Sequence, residues 1–301
     1  MAKSVVGPWA RDKLDRLGKY LTAYTTIMKD QDWCQGYHYI DAFAGPGEHS
    51  VRHDESGSKH AAQQVLLDVS SYGSRDKEQK EFLAGSPRVA LNIPHPFTNY
   101  VFVEYSPDRI ADLKMLESEY GKSRSIIIRR ENCTKYLKER VVANPKINWK
   151  KNRAVVFLDP FGMQVNWETI DSLAGTNAIE IFLNFPVGMA IQRLLKRQPE
   201  NFSDAEISRL DTYFGSPDWK TALYKPRRTL FGEDAEEKIN KSGETLLKWY
   251  RDRLKTIFPH VSKAALIRNT RGAHLYYLLL ASHNKIGVKI ANDILSAGET
   301  I

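Results

Sequence analysis

Two carboxylates in this chain stand where short apolar runs break into loops, and a side chain held there can face a ligand instead of a packed core. Asp41 sits in YIDAFAGPG (Tyr39–Gly47), followed by Ala42 and Phe43 and then by the break at Gly45-Pro46-Gly47. Asp159 follows Val155, Val156, Phe157 and Leu158 and opens Asp159-Pro160-Phe161-Gly162. A third acid, Glu104, closes the run Tyr100–Glu104. Acids at the ends of apolar runs are what a parallel sheet presents beyond its carboxyl edge, where glycines let a ligand pass close to the backbone.

The chemistry open to these residues divides in two. At the first group, Gly45 and Gly47 give a ligand room beside Asp41, Ala42 and Phe43, and Glu104 is placed to accept hydrogen bonds from ribose hydroxyls. The loop continues Glu48-His49-Ser50, with no third glycine as in G-x-G-x-x-G, which disfavours a pyrophosphate. An adenosine cofactor without phosphates is S-adenosylmethionine. Asn132, with Cys133 beside it, is then placed for the adenine amino group, and Glu131 is the rival. Plainer roles exist for each: Asp41 as a buried acid satisfied by amides, Glu104 as a cap for a helix at Pro107, and the Glu131-Asn132 pair as a surface turn.

The second group suits an amino acceptor. An exocyclic amino group is a poor nucleophile because its lone pair is delocalised into the ring. Asp159 and the Pro160 carbonyl could accept its two N–H bonds, and Phe161, next to Gly162, could stack on a flat base. Asn184, in Asn184-Phe185-Pro186, is a further candidate for the acceptor pocket. The plain alternative is an aspartate-proline turn leading into a helix near Trp167. No metal is required by either group.

The elements that must position these residues alternate. Strands are expected at Tyr37–Phe43, Tyr100–Glu104, Ser125–Arg129, Ala154–Asp159 and Ile179–Phe185, and helices at Trp9–Gln31, from Gly85–Leu91, at Pro107–Tyr120 with Ser106 as cap, and from Cys133 to about Val142. That alternation predicts a doubly wound, mostly parallel α/β sheet. Ala264–Asn269 and His274–Ser282 read as an antiparallel pair closing it, after a helix from Ser242 to Phe258 and before one at Ile286–Leu295. The whole of 1–301 reads as one domain with two interruptions: a polar insertion or lid at 48–84, and a substrate-facing subdomain at 186–241 that carries several aromatics and the basic cluster Lys225, Arg227 and Arg228.

Composition limits the partners. A mean hydropathy of -0.46 and no apolar run near the roughly 20 residues of a membrane helix argue against a membrane span. The N-terminal residues lack a signal-peptide pattern, so a cytoplasmic location is expected. Two cysteines, Cys34 and Cys133, indicate neither a disulfide framework nor a zinc site. The net charge of +8, concentrated between Lys122 and Arg153 and again between Lys248 and Lys289, points to a polyanion such as RNA or DNA; ordinary solvated surface is the plainer reading.

In order, DAFAGPG, GSP, FVE, FLDPFG with the following Trp167–Ile170, and LYYLLLASHN (Leu275–Asn284) resemble the three-Cys-motif partner (TcmP) family, similar to class I S-adenosylmethionine-dependent methyltransferases. The resemblance covers nearly the whole chain. It implies a Rossmann-like fold, that cofactor, and a possible iron–sulfur or radical partner protein that carries the three cysteines. DPFG also is similar to the motif of tRNA guanine-N2 dimethyltransferases, which implies an aspartate facing a base amino group. Two functions follow as expectations: methyl transfer to an amino nitrogen in nucleic acid, or a non-catalytic methyltransferase-like protein that recruits the partner.

Overall fold

The computed structural model describes residues 5–6, 9–45, 48–51, 82–228, 234–269 and 272–296. Its centre is an eight-stranded sheet, here numbered along the chain as β1 Gly36–Asp41, β2 Asn99–Val103, β3 Ile126–Arg129, β4 Asn152–Leu158, β5 Ile179–Phe185, β6 His260–Val261, β7 Ala265–Arg268 and β8 His274–Ser282. In space the order is β3-β2-β1-β4-β5-β8, with β6 and β7 both on the far side of β8. The five strands from β3 to β5 are parallel. Only β8 runs against its neighbours, pairing antiparallel with β5, β6 and β7. This order, with one antiparallel strand near the edge, is the Rossmann-like class I arrangement expected from the sequence.

Both faces of the sheet are covered, and the side-chain period of two assigns each residue to one of them. Ile40, Val101, Val156, Ile181 and Leu279 pack with the helices Trp167–Ala174, Asp204–Phe214 and Ser242–Leu254. Tyr39, Phe102, Phe157, Phe182 and Leu278 pack with Trp9–Met28, Ser86–Leu91, Pro107–Tyr120 and Lys285–Leu295. The near-continuous apolar runs of β4 and β5 are the signature of strands buried on both sides.

The N-terminal helix Trp9–Met28 lies on the second face through Leu14, Leu17, Leu21 and Tyr24. Each leucine so buried contributes roughly 1.5–3 kcal/mol. Polar contacts fix the helix as well. Tyr20 donates to the buried carboxylate of Glu180 on β5, and the Ser282 hydroxyl of β8 donates to the other oxygen at 2.9 Å. Burial pushes the Glu180 pKa up, against the opposing effect of these two donors. Arg16 reaches the last turn of the terminal helix, 2.7 Å from the Leu295 carbonyl.

Several expected elements end earlier than the sequence suggested, Trp9–Gln31 at Met28, Ser242–Phe258 at Leu254 and the first strand at Asp41. Two local details also differ. Ser106 occupies the cap position of Pro107–Tyr120, but its side chain makes no capping bond; Glu104 accepts from the Ser106 and Tyr105 amides instead, both at 2.8 Å. The helix from Cys133 is α-helical only to Lys135 and continues as a π-helix over Tyr136–Val142. Within the interruption at 48–84, strands Glu48–Val51 and Phe82–Ala84 pair with each other, and the first of them with Val5–Val6; residues 52–81 lie outside the described residues. No helix among the described residues is long and apolar enough to cross a membrane.

Tyr20→Phe removes the phenolic donor to a buried carboxylate. It should cost about 1–3 kcal/mol, read by urea unfolding, and an unchanged midpoint would show that the bond contributes nothing to helix docking.

Candidate functional site

The chain moves from β1 to β2 on one side and from β3 across to β4 on the other, so the sheet's direction of winding reverses between β1 and β4. In open α/β sheets ligands bind outside the carboxyl ends of the strands at such a reversal. Asp41 ends β1, Glu104 follows β2, Asp159 follows β4 and Asn184 lies near the end of β5. The register places Asp41 opposite Phe157 and Phe102. Residues two apart share a face, so Asp41, Asp159 and Asn184 fall on the face covered by the N-terminal helix.

Asp41 is fully buried. Its carboxylate accepts from the Tyr39 hydroxyl at 3.1 Å and the Phe43 amide at 3.2 Å, and the Ser86 side chain hydrogen-bonds it. Burial is the largest influence and the nearby charge of Asp159 adds to it, so that despite these donors the Asp41 pKa is pushed up to about 7. Ala42 is buried with its amide on the Phe157 carbonyl at 3.1 Å, and Phe43 is half-buried. Gly45 has φ of 64°, a left-handed conformation glycine adopts without strain. Pro46 and Gly47 lie outside the described residues.

Glu104 ties the loop after β1 to the loop after β2. One oxygen accepts from the Tyr105 and Ser106 amides, and the other accepts from Gly45 N–H at 3.1 Å. The Arg109 guanidinium stands 3.6 Å from that second oxygen. A carboxylate offers about four lone-pair positions, and three are taken by amides. The remaining position on the second oxygen can accept one ribose hydroxyl; a second would have to displace Gly45 N–H. The donor set therefore fits an adenosine ribose, together with the capping role anticipated for this residue.

Asp159 is held from two directions. Asn184 donates to one oxygen at 2.6 Å, and Lys13, from the N-terminal helix, donates to the other at 2.5 Å. The Lys13 ammonium also lies 5.3 Å from the centre of the Tyr276 ring on β8. Burial works against the Lys13 charge, but Asp159, Tyr276 and Asp41 together raise its pKa above the usual lysine value. Burial likewise pushes the Tyr276 hydroxyl up to about 12. Beyond Asp159, Phe161 is 64% exposed and its ring lies 5.7 Å from the Arg109 guanidinium. Gly162 donates its amide to the Gln164 side chain at 3.1 Å.

The other expected residues have different surroundings. The Asn132 side-chain oxygen accepts from Lys135 N–H at 3.1 Å and caps the short helix Cys133–Lys135, so this oxygen is engaged locally. Glu131 has an exposure between core and surface, and Cys133 is buried and free. Lys225, Arg227 and Arg228 lie on Tyr224–Arg228, which pairs antiparallel with Asp234–Lys238, so Lys225 faces Glu237 and Arg228 faces Asp234 in register. Arg227 is 3.3 Å from Glu237, which Arg197 also contacts at 3.0 Å. This cluster lies on a hairpin whose second strand carries acidic residues.

Four participants escaped the reading of the sequence: Lys13, Ser86, Arg109 and Tyr276. Lys13 carried a signal. Ala10, Leu14, Leu17, Leu21 and Tyr24 mark the buried stripe of the helix, and Lys13 falls on that stripe, where an unpaired charge would be costly.

No protein-family model matches this chain, and no curated protein matches it. Among solved structures it is similar to protein LPL1258 from Legionella pneumophila, at 12% identity over 92% of this chain and 89% of that one, with a TM-score of 0.49. It is also similar to the plantazolicin methyltransferase BpumL in complex with SAH, at 10% identity over 90% and 84% with a TM-score of 0.31. A third is an S-adenosylmethionine-dependent methyltransferase from Listeria monocytogenes, described as putative in its own name, at 12% over 88% and 97% with a TM-score of 0.29. The strand order, not these distant likenesses, defines the fold.

The Asp41 carboxyl gives a stability signature. An acid with a raised folded pKa stabilises the native state below its unfolded pKa and loses that contribution as pH rises through the folded one. Relative to Asp41→Asn, the wild type should therefore lose stability between the ordinary carboxylate range and about pH 7, by at most about 1.4 kcal/mol per pH unit. Denaturant unfolding of both proteins at pH 4.5 to 8 reads this; parallel curves would rule it out.

Proposed function

We propose that the protein is an S-adenosylmethionine-dependent methyltransferase acting on an exocyclic amino nitrogen of a base in nucleic acid. The observation that carries this reading is the meeting, at one reversal point of a class I sheet, of a cofactor-type group and an acceptor-type group. The first is Asp41, Gly45 and Glu104. The second is Asp159 with Asn184 and the exposed Phe161.

The cofactor would supply an electrophilic methyl group on a sulfonium and would be released as the thioether S-adenosylhomocysteine, and the methylated nitrogen would give up one proton to solvent. Glu104, through its free lone-pair position, would hold the ribose, and the loop after Asp41 would line the amino-acid end. Asn132 retains only its side-chain NH2, a donor for the adenine ring nitrogens, since the oxygen that the adenine amino group would need caps Cys133–Lys135. On the acceptor side, Asp159 keeps lone pairs beyond those given to Lys13 and Asn184. It would accept one N–H of the base amino group and the Pro160 carbonyl the other, holding the nitrogen lone pair out of conjugation and in line for attack. Phe161 and Arg109 together offer a surface of aromatic and guanidinium planes for stacking a base. A base within a duplex would have to leave the stack to reach it.

The resemblance to the three-Cys-motif partner family supports a second reading, a non-catalytic partner that recruits an iron–sulfur protein. The observation favouring it is that both Asp159 oxygens are already hydrogen-bonded within the chain itself. On either reading, exposed basic side chains between Lys122 and Arg153 would supply phosphate contacts.

Calorimetric titration with S-adenosylmethionine and S-adenosylhomocysteine separates the two. Micromolar binding is expected, weakened at least tenfold in Glu104→Ala with its fold verified by thermal melting. Absence of heat at millimolar ligand would sink the enzymatic reading. Binding to RNA or DNA should weaken with salt in proportion to the phosphates contacted, with a slope of log affinity against log salt of roughly -0.7 to -0.9 per phosphate; salt-independent binding would remove nucleic acid as the polyanion.

A further inference from the structure

We propose that Lys13 of the N-terminal helix is a positioning residue for Asp159, so that this helix completes the acceptor half of the site. The inference rests on the methyltransferase reading above.

The geometry is that of a carboxylate fixed at both ends. Lys13 Nζ is 2.5 Å from one Asp159 oxygen, Asn184 Nδ2 is 2.6 Å from the other, and the two donors come from different elements. Two bonds to separate oxygens fix the rotation of the carboxylate plane, which one bond would not. The remaining lone pairs then point in a set direction, as a hydrogen-bond acceptor for a reacting amine requires. The Asn184 amide has its orientation imposed. Its nitrogen must face Asp159, which leaves its oxygen buried without a partner and available to a further N–H donor in the same pocket.

Charge gives a second reason. The charge of Asp159 lies near enough to Asp41 to raise its pKa, and both acids favour the charged form of Lys13. The Lys13 ammonium, hydrogen-bonded to Asp159, sets a positive charge beside that acid where the buried Asp41 sets an acid nearby. The site excludes bulk water as a substitute, since Lys13 is only 9% exposed. An ion pair so buried is weak evidence for stability alone, because apolar side chains in its place do as well. Its location at the carboxyl edge, touching the one acid that ends β4, is better explained by the acceptor chemistry than by packing.

Lys13→Met, which keeps the aliphatic length, Lys13→Arg and Asp159→Asn test this against the wild type, each checked by thermal melting. Methyl transfer from labelled S-adenosylmethionine is measured on RNA and DNA, with calorimetry for the cofactor. Lys13→Met should bind cofactor as the wild type does and lose about 100-fold in kcat, while Lys13→Arg recovers part of the loss. The Lys13 ammonium protons should be visible in a proton–nitrogen correlation spectrum at neutral pH and vanish in Asp159→Asn. Undiminished kcat in Lys13→Met, or ammonium protons indifferent to Asp159→Asn, overturns the inference alone. A loss confined to KM, or matched by an equal loss of cofactor binding, overturns it too. A wild type that neither binds cofactor nor transfers methyl overturns the methyltransferase reading and this inference with it.

Discussion

The contact between the N-terminal helix and the face of the sheet that carries Asp41 and Asp159 governs the rest of the structure. That face holds Tyr39, Phe157 and Phe182 in one apolar cluster with the helix's Leu14, Leu17 and Leu21, and Tyr20 packs directly on Phe182. Leucines supply the driving force, but burial of apolar area has no direction. Direction comes from the buried polar pairs, Lys13 with Asp159 toward the carboxyl edge and Tyr20 with Glu180 toward the other end of β5. A helix shifted by one turn would leave the Lys13 ammonium buried away from Asp159, at a cost of several kcal/mol, and would take one donor each from Asp159 and Glu180.

The same constraint links stability to chemistry. Asp159 belongs to the helix contact and, on the proposed reading, to the acceptor group, and Asp41 belongs to the sheet core and, on that reading, to the cofactor loop. Removing the Asp159 side chain outright would strand Lys13, so loss of activity in such a variant would not by itself identify a role in the reaction. Substitutions that keep shape and hydrogen-bonding groups are the informative ones. Glu104 is similar, since it braces the loops after β1 and β2 through three amides and is also the acid proposed for the ribose.

Strand runs ending in acids, a glycine after the first run, and the alternation of strands and helices over the parallel part are legible in the amino-acid sequence, and each corresponds to the sheet described. Short-range chemistry explains why. Apolar periodicity and turn residues act over a few positions and leave a direct trace in the sequence. The hairpin at Tyr224–Arg228 shows the limit of that reasoning. Its basic residues look like a phosphate site in isolation, yet the paired strand brings Asp234 and Glu237 opposite them. Asn132 shows it again, because its cap on a helix of three residues uses the very oxygen that a ligand contact could have used.

By itself, the sequence determined the strands, to within a residue or two at their ends, the acids near those ends and the parallel winding, because these follow from local patterns and from handedness rules for strand–helix–strand units. Only the tertiary structure decided which charge meets Asp159. Lys13 and Asp159 are separated by 146 residues, and no periodicity connects them. Their meeting depends on the whole sheet being assembled in order and on the N-terminal helix settling over its second face, where the cost of a lone buried charge leaves one arrangement of the pair.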